Sequence, residues 1–282
     1  MAVNLVIDKE RFDRDGYFLI KNVFTKEEIA EIRKDAYTSF EADKKKNITS
    51  KLDAKLADAT YGKGDMLSKP LLRHLVWDER ILQIARGILG GEPVYYGDSN
   101  YHFGTGLRGY HRDNVDRKDL TAPDWQGDDY SIVRMGIYLQ DHKKYSGGLK
   151  LKLGSHKNPT GKVVFVDSEI GDVAIWSLKT LHSGNAVRLK IFKNISINRG
   201  GLEGMVPAFL REEQQMERVA IFMTYALKSR HLDRYIEKHM VGRADILDSL
   251  KASRFDPKVL EEAKQHHLEV LRLTPEYGTL EG

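Results

Sequence analysis

The sequence predicts a mainly β protein with flanking helices, built around a closed or double-sheet antiparallel core. Two observations indicate this class. Short runs rich in β-branched and aromatic residues, separated by turn residues, fill the middle of the chain. Helical periodicity lies on both sides of them, without the strand–helix alternation of a parallel sheet. We therefore predict one domain over residues 1–282, with N-terminal helices over about 25–90, a β core over about 92–228 and a C-terminal helical extension over about 231–275.

The N-terminal helices have clear end signals. Thr25 and Glu28 have the spacing of a capping box, in which the hydroxyl accepts from an amide of the first turn and the carboxylate reaches back. Apolar residues recur at helical spacing from Ile29 onward. A second helix is predicted to begin at Asp78 and to end at Gly90-Gly91, since glycine commonly terminates helices.

The strands of the core are predicted from two patterns: apolar residues that alternate with polar ones, and short uninterrupted apolar runs. They cover residues 93–96, 132–139, 149–153, 163–166, 172–176 and 218–225. Helical spacing returns at about Leu232 and includes His267 and Leu271, so the C-terminal helices are predicted to continue past residue 270.

The composition excludes several kinds of site. The chain has no cysteine, which excludes disulfides, zinc–thiolate sites and iron–sulfur clusters. No apolar run approaches the roughly 18 residues of a membrane span, and the first residues lack the pattern of a secretory signal, so we expect a cytoplasmic protein. The formal net charge of +4 is interleaved with acidic residues, which argues against a nucleic-acid partner. The small positive excess favours a pocket for anionic substrates, and the oligomeric state is left open.

Three side chains have the chemistry of a metal site. His111 and Asp113 lie two positions apart, so that in extended backbone both point to the same face. His182, which follows a strand-like run, is the best third ligand. Two histidines and one carboxylate leave coordination positions open and suit iron(II). Taken alone, the triplet fits a hydrogen-bonded surface pair and a buried structural histidine equally well.

Several further motifs resemble the phytanoyl-CoA dioxygenase family, in order and spacing, from about residue 12 to 226. The matching segments are Asp13–Thr25, Tyr138–Asp141, Gly147–Leu149, Gly154–His156 and Gly171–Asp172 followed by His182. Leu153 replaces the proline that usually precedes the family's Gly-Ser-His loop. His156, in that loop, is expected to be structural, and His142 is expected to be solvated in a charged turn.

The resemblance implies a double-stranded β-helix (jelly-roll, cupin-like) core and a dioxygenase that uses Fe(II), 2-oxoglutarate and O2. Such an enzyme converts 2-oxoglutarate to succinate and CO2. Because Asp113 keeps the carboxylate that related halogenases lack, hydroxylation of a small metabolite is the expected reaction, with desaturation and ring closure open. The alternatives are a cupin-like metalloprotein that does not use 2-oxoglutarate, and a binding protein of the same fold without turnover.

The family also implies an arginine that binds the distal carboxylate of 2-oxoglutarate, about ten residues beyond the second histidine. Here Phe192 or Lys193 holds that position. Arg218 begins an apolar run that ends in an aromatic residue, as the family's arginine strand does, so it is the predicted anchor and Arg188 the second candidate. This assignment requires an insertion over roughly residues 188–217.

Other polar side chains are expected around the metal. Tyr138 and His102 are assigned to the co-substrate. The side chains assigned to the prime substrate are Arg112, Asn114, Arg134 and Asn100. Within the insertion, Gly200–Pro207 is expected to form a lid or pocket wall, with an oligomer contact as the alternative.

Overall fold

The computed structural model describes residues 5–51, 58–105, 109–191, 197 and 200–280. The strands are β1 Tyr17–Ile20, β2 Thr49–Lys51, β3 Asp58–Gly62, β4 Val94–Thr105, β5 Ile132–Tyr138, β6 Gly148–Lys152, β7 Val163–Phe165, β8 Val173–Ser177, β9 His182–Ala186, β10 Val219–Ala226 and β11 Glu269–Val270. The α-helices are α1 Lys9–Asp15, α2 Lys26–Lys45, α3 Glu79–Leu89, α4 Gly200–Met205, α5 Arg230–Tyr235, α6 Ala244–Lys251 and α7 Lys258–Gln265. A π-helical turn, Ile236–Met240, follows α5 directly.

Two antiparallel sheets form the core. The major sheet has the strand order β1–β8–β5–β10–β4–β3–β2, with β11 added in parallel to β4. The minor sheet has the order β7–β6–β9. Leu149 and Leu151 of the minor sheet pack against Tyr138, Trp176 and Ala220 of the major sheet, so the two sheets enclose a common interior. The predicted class, mainly β with flanking helices, is confirmed.

The other face of the major sheet is covered by the N-terminal helices. Alternate residues of the central strands, such as Ile175 and Ile221, join one large apolar cluster with Ile29 of α2 and Leu82 of α3. The predicted capping box is present, because Glu28 N donates to Thr25 Oγ1 (3.1 Å) and Thr25 N donates to Glu28 Oε2 (2.7 Å). The helix predicted from Asp78 to Gly90 is also confirmed, with Gly90 in the left-handed region at φ 74°.

Three expectations about local structure were wrong or incomplete. The run predicted at 93–96 is the start of a strand that continues to Thr105. Helix α7 ends at Gln265, because His267 adopts φ 58° and the Leu268 amide turns back to Ala263 O (3.0 Å). His142 is buried rather than solvated, at 1% exposure, with its ring edge against Tyr138. Burial and the nearby Arg218 charge lower its pKa to about 3.

The insertion is attached to the outside of the minor sheet. Lys150 of β6 points away from the interior, since its neighbours Leu149 and Leu151 face inward. Its ammonium lies 2.5 Å from the carboxylate of Glu203 on α4, and both side chains are 0% exposed. Glu203 also accepts from the Val187 amide (3.2 Å). Helix α4 therefore packs on the outer face of the sheet, whereas a lid would cover the interior.

This ion pair predicts a large stability effect. Lys150→Met is expected to lower the free energy of unfolding by about 3–5 kcal/mol, because Glu203 would remain as a buried carboxylate without its cation. Urea unfolding followed by circular dichroism measures it. The double variant Lys150→Met/Glu203→Leu should regain most of the loss, since it removes both charges. A single variant within about 1 kcal/mol of the parent would show that the pair behaves as an exposed one.

Candidate metal centre

The three predicted ligands lie together at the edge of the minor sheet. His111 and His182 form an antiparallel bridge, in which each backbone amide donates to the other's carbonyl (2.9 and 3.0 Å). The Asp113 amide donates to Leu178 O (2.9 Å), in the turn that precedes β9. The His-x-Asp segment is thus a short extended piece pinned to the sheet rather than a regular strand. Its two ligands still share one face.

The ligand atoms are close enough for one cation to contact all three. His111 Nε2 lies 3.8 Å from Asp113 Oδ1, and His182 Nε2 lies 3.5 Å from Asp113 Oδ2. The three residues form the group of possible metal ligands among the described histidines and carboxylates. Two imidazoles and one carboxylate on one side of a cation suit iron(II), with positions left for other ligands.

Backbone carbonyls orient both imidazole rings. His111 Nδ1 lies 2.9 Å from Gly109 O, and His182 Nδ1 lies 2.9 Å from Thr180 O. A carbonyl only accepts, so each Nδ1 carries the proton and each Nε2 presents a lone pair to the shared space. Burial lowers the pKa of His182 to about 4, which keeps this ring neutral and ready to bind a metal.

A chain of hydrogen bonds holds the carboxylate. Arg134 of β5 donates to Asp113 Oδ2 (2.7 Å) through one nitrogen and to Asp98 Oδ2 (2.8 Å) through another. Tyr235 of α5 donates to the same oxygen of Asp98 (2.9 Å). Burial alone would raise the pKa of Asp113, but the positive charge around it, foremost the Arg134 guanidinium, outweighs burial and holds that pKa well below its usual range. Asp113 is therefore ionised.

Removing this support is expected to weaken the metal site. Arg134→Leu should lower metal affinity by about 10–100-fold, the usual cost of losing an outer hydrogen-bond partner of a metal ligand. Titration of the apo protein with Co(II), followed by visible absorption, measures the change. Arg134→Lys keeps the charge but cannot hold Asp113 and Asp98 in one planar fork, so an intermediate loss is expected. Unchanged affinity in the leucine variant would contradict the role of Arg134.

The predicted co-substrate residues form a second group in the interior that the two sheets enclose, which we call the barrel. Arg218 is 2% exposed and donates to Gly147 O (3.0 Å) and Gly104 O (3.3 Å). Its guanidinium lies 5.4 Å from the ring centroid of Tyr138. Among the side chains that the structure describes, no carboxylate lies within 4.0 Å of it. Burial lowers the pKa of Arg218, as expected for a buried cation without an acidic partner.

Aromatic side chains connect this arginine to the triad. Phe222 packs at 5.6 Å from His102, 6.0 Å from Tyr138 and 6.1 Å from Trp176. Trp176 in turn lies 5.5 Å from the His182 ring. Its indole N–H is buried and has no hydrogen-bond partner among the described residues. Burial, followed by the Arg218 charge, lowers the pKa of His102 to about 3, so this ring is neutral.

Arg188 and Arg112 have other partners. Arg188 forms an ion pair with Asp167 and donates to His142 O (3.0 Å), so its charge is already matched. Arg112 donates to Lys179 O (2.9 Å) and Ser155 O (3.3 Å), although it is next to Asp113 in the chain. The structure does not bring either arginine into the group around Arg218. Their assigned roles stay predictions.

The two asparagines differ in what they offer. Asn114 is fully buried and donates to Asp124 Oδ2 (2.9 Å). Asn100, on β4, lines a cavity of about 220 Å³ together with Asp98 and His102. The Oδ1 atoms of both asparagines are buried and accept no hydrogen bond from the described residues, so it is the cavity beside Asn100 that distinguishes the two. Asn100 is thus the better placed of the two to meet a ligand.

The sequence did not identify Trp176 and Phe222 as residues of the site, and it did not single out Asp98 as a partner of the metal ligands. Trp176 and Phe222 occupy inward positions of predicted strands, and period-two alternation could have placed them in the interior. Tyr235 had no signal of this kind, because its contact with Asp98 joins residues 137 positions apart.

The fold and the donor set define a class of protein, a double-stranded β-helix with a two-histidine, one-carboxylate candidate metal centre. The chain belongs to the phytanoyl-CoA dioxygenase (PhyH) family, whose profile matches residues 12–190. The predicted family is confirmed. None of the helices in the described ranges is long and apolar enough to cross a bilayer.

Two curated relatives are similar to part of the chain. The ectoine dioxygenase of Stutzerimonas stutzeri is 29% identical over 171 residues, which cover 53% of this chain and 49% of that protein. The ectoine dioxygenase of Sphingopyxis alaskensis is 27% identical over 157 residues, covering 52% and 48%. The chain thus spans about half the length of the curated relatives it matches.

Solved structures share the fold. The non-haem alpha-ketoglutarate-dependent epimerase SnoN from nogalamycin biosynthesis has a TM-score of 0.57 at 16% identity, covering 77% of this chain and 79% of its own. EctD from S. alaskensis, solved with 2-oxoglutarate and 5-hydroxyectoine, has a TM-score of 0.50 at 18% identity, covering 77% and 74%. These likenesses confirm the predicted double-stranded β-helix core.

Proposed function

We propose that this protein is an Fe(II)- and 2-oxoglutarate-dependent dioxygenase that hydroxylates a small metabolite. The observation that carries the proposal is one interior with two complementary features. At one end His111, Asp113 and His182 offer the donor set that suits iron(II). At the other end Arg218 is a buried cation without a carboxylate partner in the described chain. A dicarboxylate bound between them would satisfy both.

The chemistry of the residues present suits both the metal ion and 2-oxoglutarate. Both imidazoles are held with Nε2 free, and Asp113 is ionised, so the triad supplies three ligands without further proton loss. The planar fork of Arg218 matches a carboxylate. The Trp176 indole N–H is a further buried donor on the path between them. Together the bound metal and 2-oxoglutarate supply O2 activation, with succinate and CO2 as products.

The chain's own side chains have distinct parts in this proposal. Arg218 would bind the distal carboxylate, while Tyr138 and His102 pack around it through Phe222. Arg134 and Asp98 would orient Asp113. The aromatic wall excludes water from the space between the triad and Arg218, which strengthens charged contacts there. Because Tyr235 of the C-terminal extension bonds Asp98 inside the barrel, we also propose that extension and core act as a single domain.

The relatives support a small-molecule substrate, since both are named ectoine dioxygenases. The experiment that tests the proposed function is anaerobic addition of 2-oxoglutarate to the Fe(II)-loaded protein. A weak visible absorption band should appear, and it should be absent in the His111→Ala/Asp113→Ala variant. A wild-type protein that binds Fe(II) but gives no band would favour a metalloprotein of the same fold that does not use 2-oxoglutarate.

A further inference from the structure

A basic cavity opens beside the loop that follows Asp113. It has a volume of about 230 Å³. Its lining is Val115, Arg117, Lys238, His239 and Arg243. Four of the five lining residues are basic in type, and none is acidic. The loop after Asp113 supplies one wall, and the π-helical turn with the segment after it supplies the other.

The positive charge of this cavity is only partly neutralised. Arg243 pairs with Asp245 (2.5 Å). Among the described residues, the hydrogen bonds of Arg117 go to the Asn114 carbonyl (3.3 Å) and the His239 ring (3.4 Å). In the described part of the chain, neither Arg117 nor Lys238 has a carboxylate within the 4.0 Å of an ion pair. The pKa of His239 is lowered by burial to about 4, so its ring is neutral. Two cations without an ion-pair partner in the described part of the chain therefore face the cavity, with Asp113 and Asp116 acting on them from farther away.

The cavity is connected to the metal centre in two ways. His239 stacks on Tyr235 at 4.7 Å, and Tyr235 begins the hydrogen-bond chain through Asp98 and Arg134 to Asp113. Arg243 also lines the neighbouring cavity of about 220 Å³, which Asp98, Asn100 and His102 border from the barrel side. A ligand that enters past Arg243 would have its outer part among the cations. Its inner part would lie beside Asn100.

The inner cavity offers an unused acceptor. Asn100 Oδ1 is buried and receives no hydrogen bond from the described residues, although a buried polar atom normally has a partner. A hydroxyl or amino group of a ligand would supply the missing donor. The two cavities thus define a ligand with a negative group at one end and a hydrogen-bond donor at the other, beside Asn100.

We propose that the prime substrate carries an oxyanion group, a carboxylate or phosphate, that binds Arg117 and Lys238, and a hydroxyl or amino group that donates to Asn100. The inference rests on the proposed function and names the substrate class of that site. Charge-assisted hydrogen bonds from Arg117 and Lys238 fix the anionic end. That anchoring positions the remainder of the molecule near the triad.

The test uses inorganic phosphate as the probe and Mn(II) in place of Fe(II), with 2-oxoglutarate at saturation. The ³¹P relaxation rate of phosphate is measured against its concentration, with the Zn(II)-loaded protein as the diamagnetic blank. Saturable enhancement by Mn(II) is expected, because the anion would bind at a defined distance from the metal. Absence of saturable enhancement in a protein that holds Mn(II) would overturn the proposal.

Matched variants locate the bound anion. Arg117→Gln/Lys238→Gln is expected to weaken phosphate binding by about tenfold or more, since it removes both unpaired charges. Lys118→Gln, an exposed neighbour outside the cavity lining, should bind phosphate as the wild type does. Equal binding in the double variant and the wild type would mean that phosphate contacts the metal directly or binds elsewhere. That result would contradict the assignment of Arg117 and Lys238 as the anion-binding residues.

The outcome is separate from the test of the proposed function. The phosphate readout needs bound Mn(II) and no turnover, whereas the visible band reports Fe(II) with 2-oxoglutarate. The double variant should keep that band, because Arg218 and the triad are untouched. Loss of the band with loss of phosphate binding would instead assign the basic cavity to 2-oxoglutarate and overturn the inference. Where the band is kept and phosphate binding is lost in the double variant, equimolar acetate added to the wild type identifies the oxyanion. Acetate displaces phosphate from a site that prefers a carboxylate and leaves it bound at a site that prefers a phosphate.

Discussion

Asp113→Ala is expected to abolish tight iron binding, with a loss greater than the roughly 10–100-fold that removal of an outer partner costs. The substitution removes the only anionic ligand of the triad. It also leaves the Arg134 guanidinium, which is 2.7 Å from Asp113 Oδ2, facing the metal position without that counter-charge. A divalent cation would then meet two neutral imidazoles and a guanidinium whose remaining counter-charge is Asp98. Repulsion adds to the loss of the ligand bond.

Anaerobic Fe(II) titration with a competing chelator measures this affinity, and loss of the 2-oxoglutarate band provides a second readout. Asp128→Ala, at an exposed aspartate, is the matched control and should bind iron as the wild type does. The folded state can be checked by thermal melting of the apo proteins. Iron affinity within a few-fold of wild type in Asp113→Ala would remove this carboxylate from the proposed metal centre.

The triad could be predicted because part of its geometry is local. His111 and Asp113 share a face through a two-residue offset, and a resemblance in register over most of the chain supplied His182. The support of the triad could not be predicted in the same way. Arg134 is 21 positions from Asp113, and Asp98 is 36 positions from Arg134. These contacts depend on which strands become neighbours, and no local pattern records that.

Burial of polar residues was the least predictable property. Lys150 occupies a polar position of an alternating strand, the pattern of a surface lysine, yet α4 covers it completely. His142 stands in a charged turn and is buried because that turn folds back, with its amide bonded to Ser168 O (2.9 Å). In both cases a distant segment decides the exposure. Local composition describes only the segment itself.

The arginine assignment shows how tertiary structure separates candidates that sequence leaves open. Sequence ranks Arg218 above Arg188 on its surroundings alone. In the structure Arg188 is matched by Asp167, whereas Arg218 is buried with backbone carbonyls and aromatic rings around it. A buried cation without an acidic partner is costly, so it indicates an anionic ligand. That difference in partners is what favours Arg218.

Arg218→Met is accordingly expected to weaken 2-oxoglutarate binding while sparing the metal. Truncating one partner of a buried charge pair costs about 2–5 kcal/mol, which corresponds to roughly 30- to 4,000-fold in affinity. Methionine keeps much of the apolar stem, so the packing against Tyr138 and Phe222 is largely retained. Titration of the anaerobic visible band with 2-oxoglutarate measures the effect. Fe(II) affinity, determined in parallel, should stay within about twofold, because Arg218 contacts no member of the triad.

Arg188→Met is the matched control, since it removes the other candidate at a site already occupied by Asp167. It should leave 2-oxoglutarate affinity within a few-fold of wild type. The opposite result, with binding lost in Arg188→Met and kept in Arg218→Met, would transfer the anchor to the insertion and detach Arg218 from the reaction. If both variants bind normally although the wild type gives the band, the distal carboxylate must be held by a donor other than these two arginines. The unpartnered indole N–H of Trp176 would then be the first group to replace.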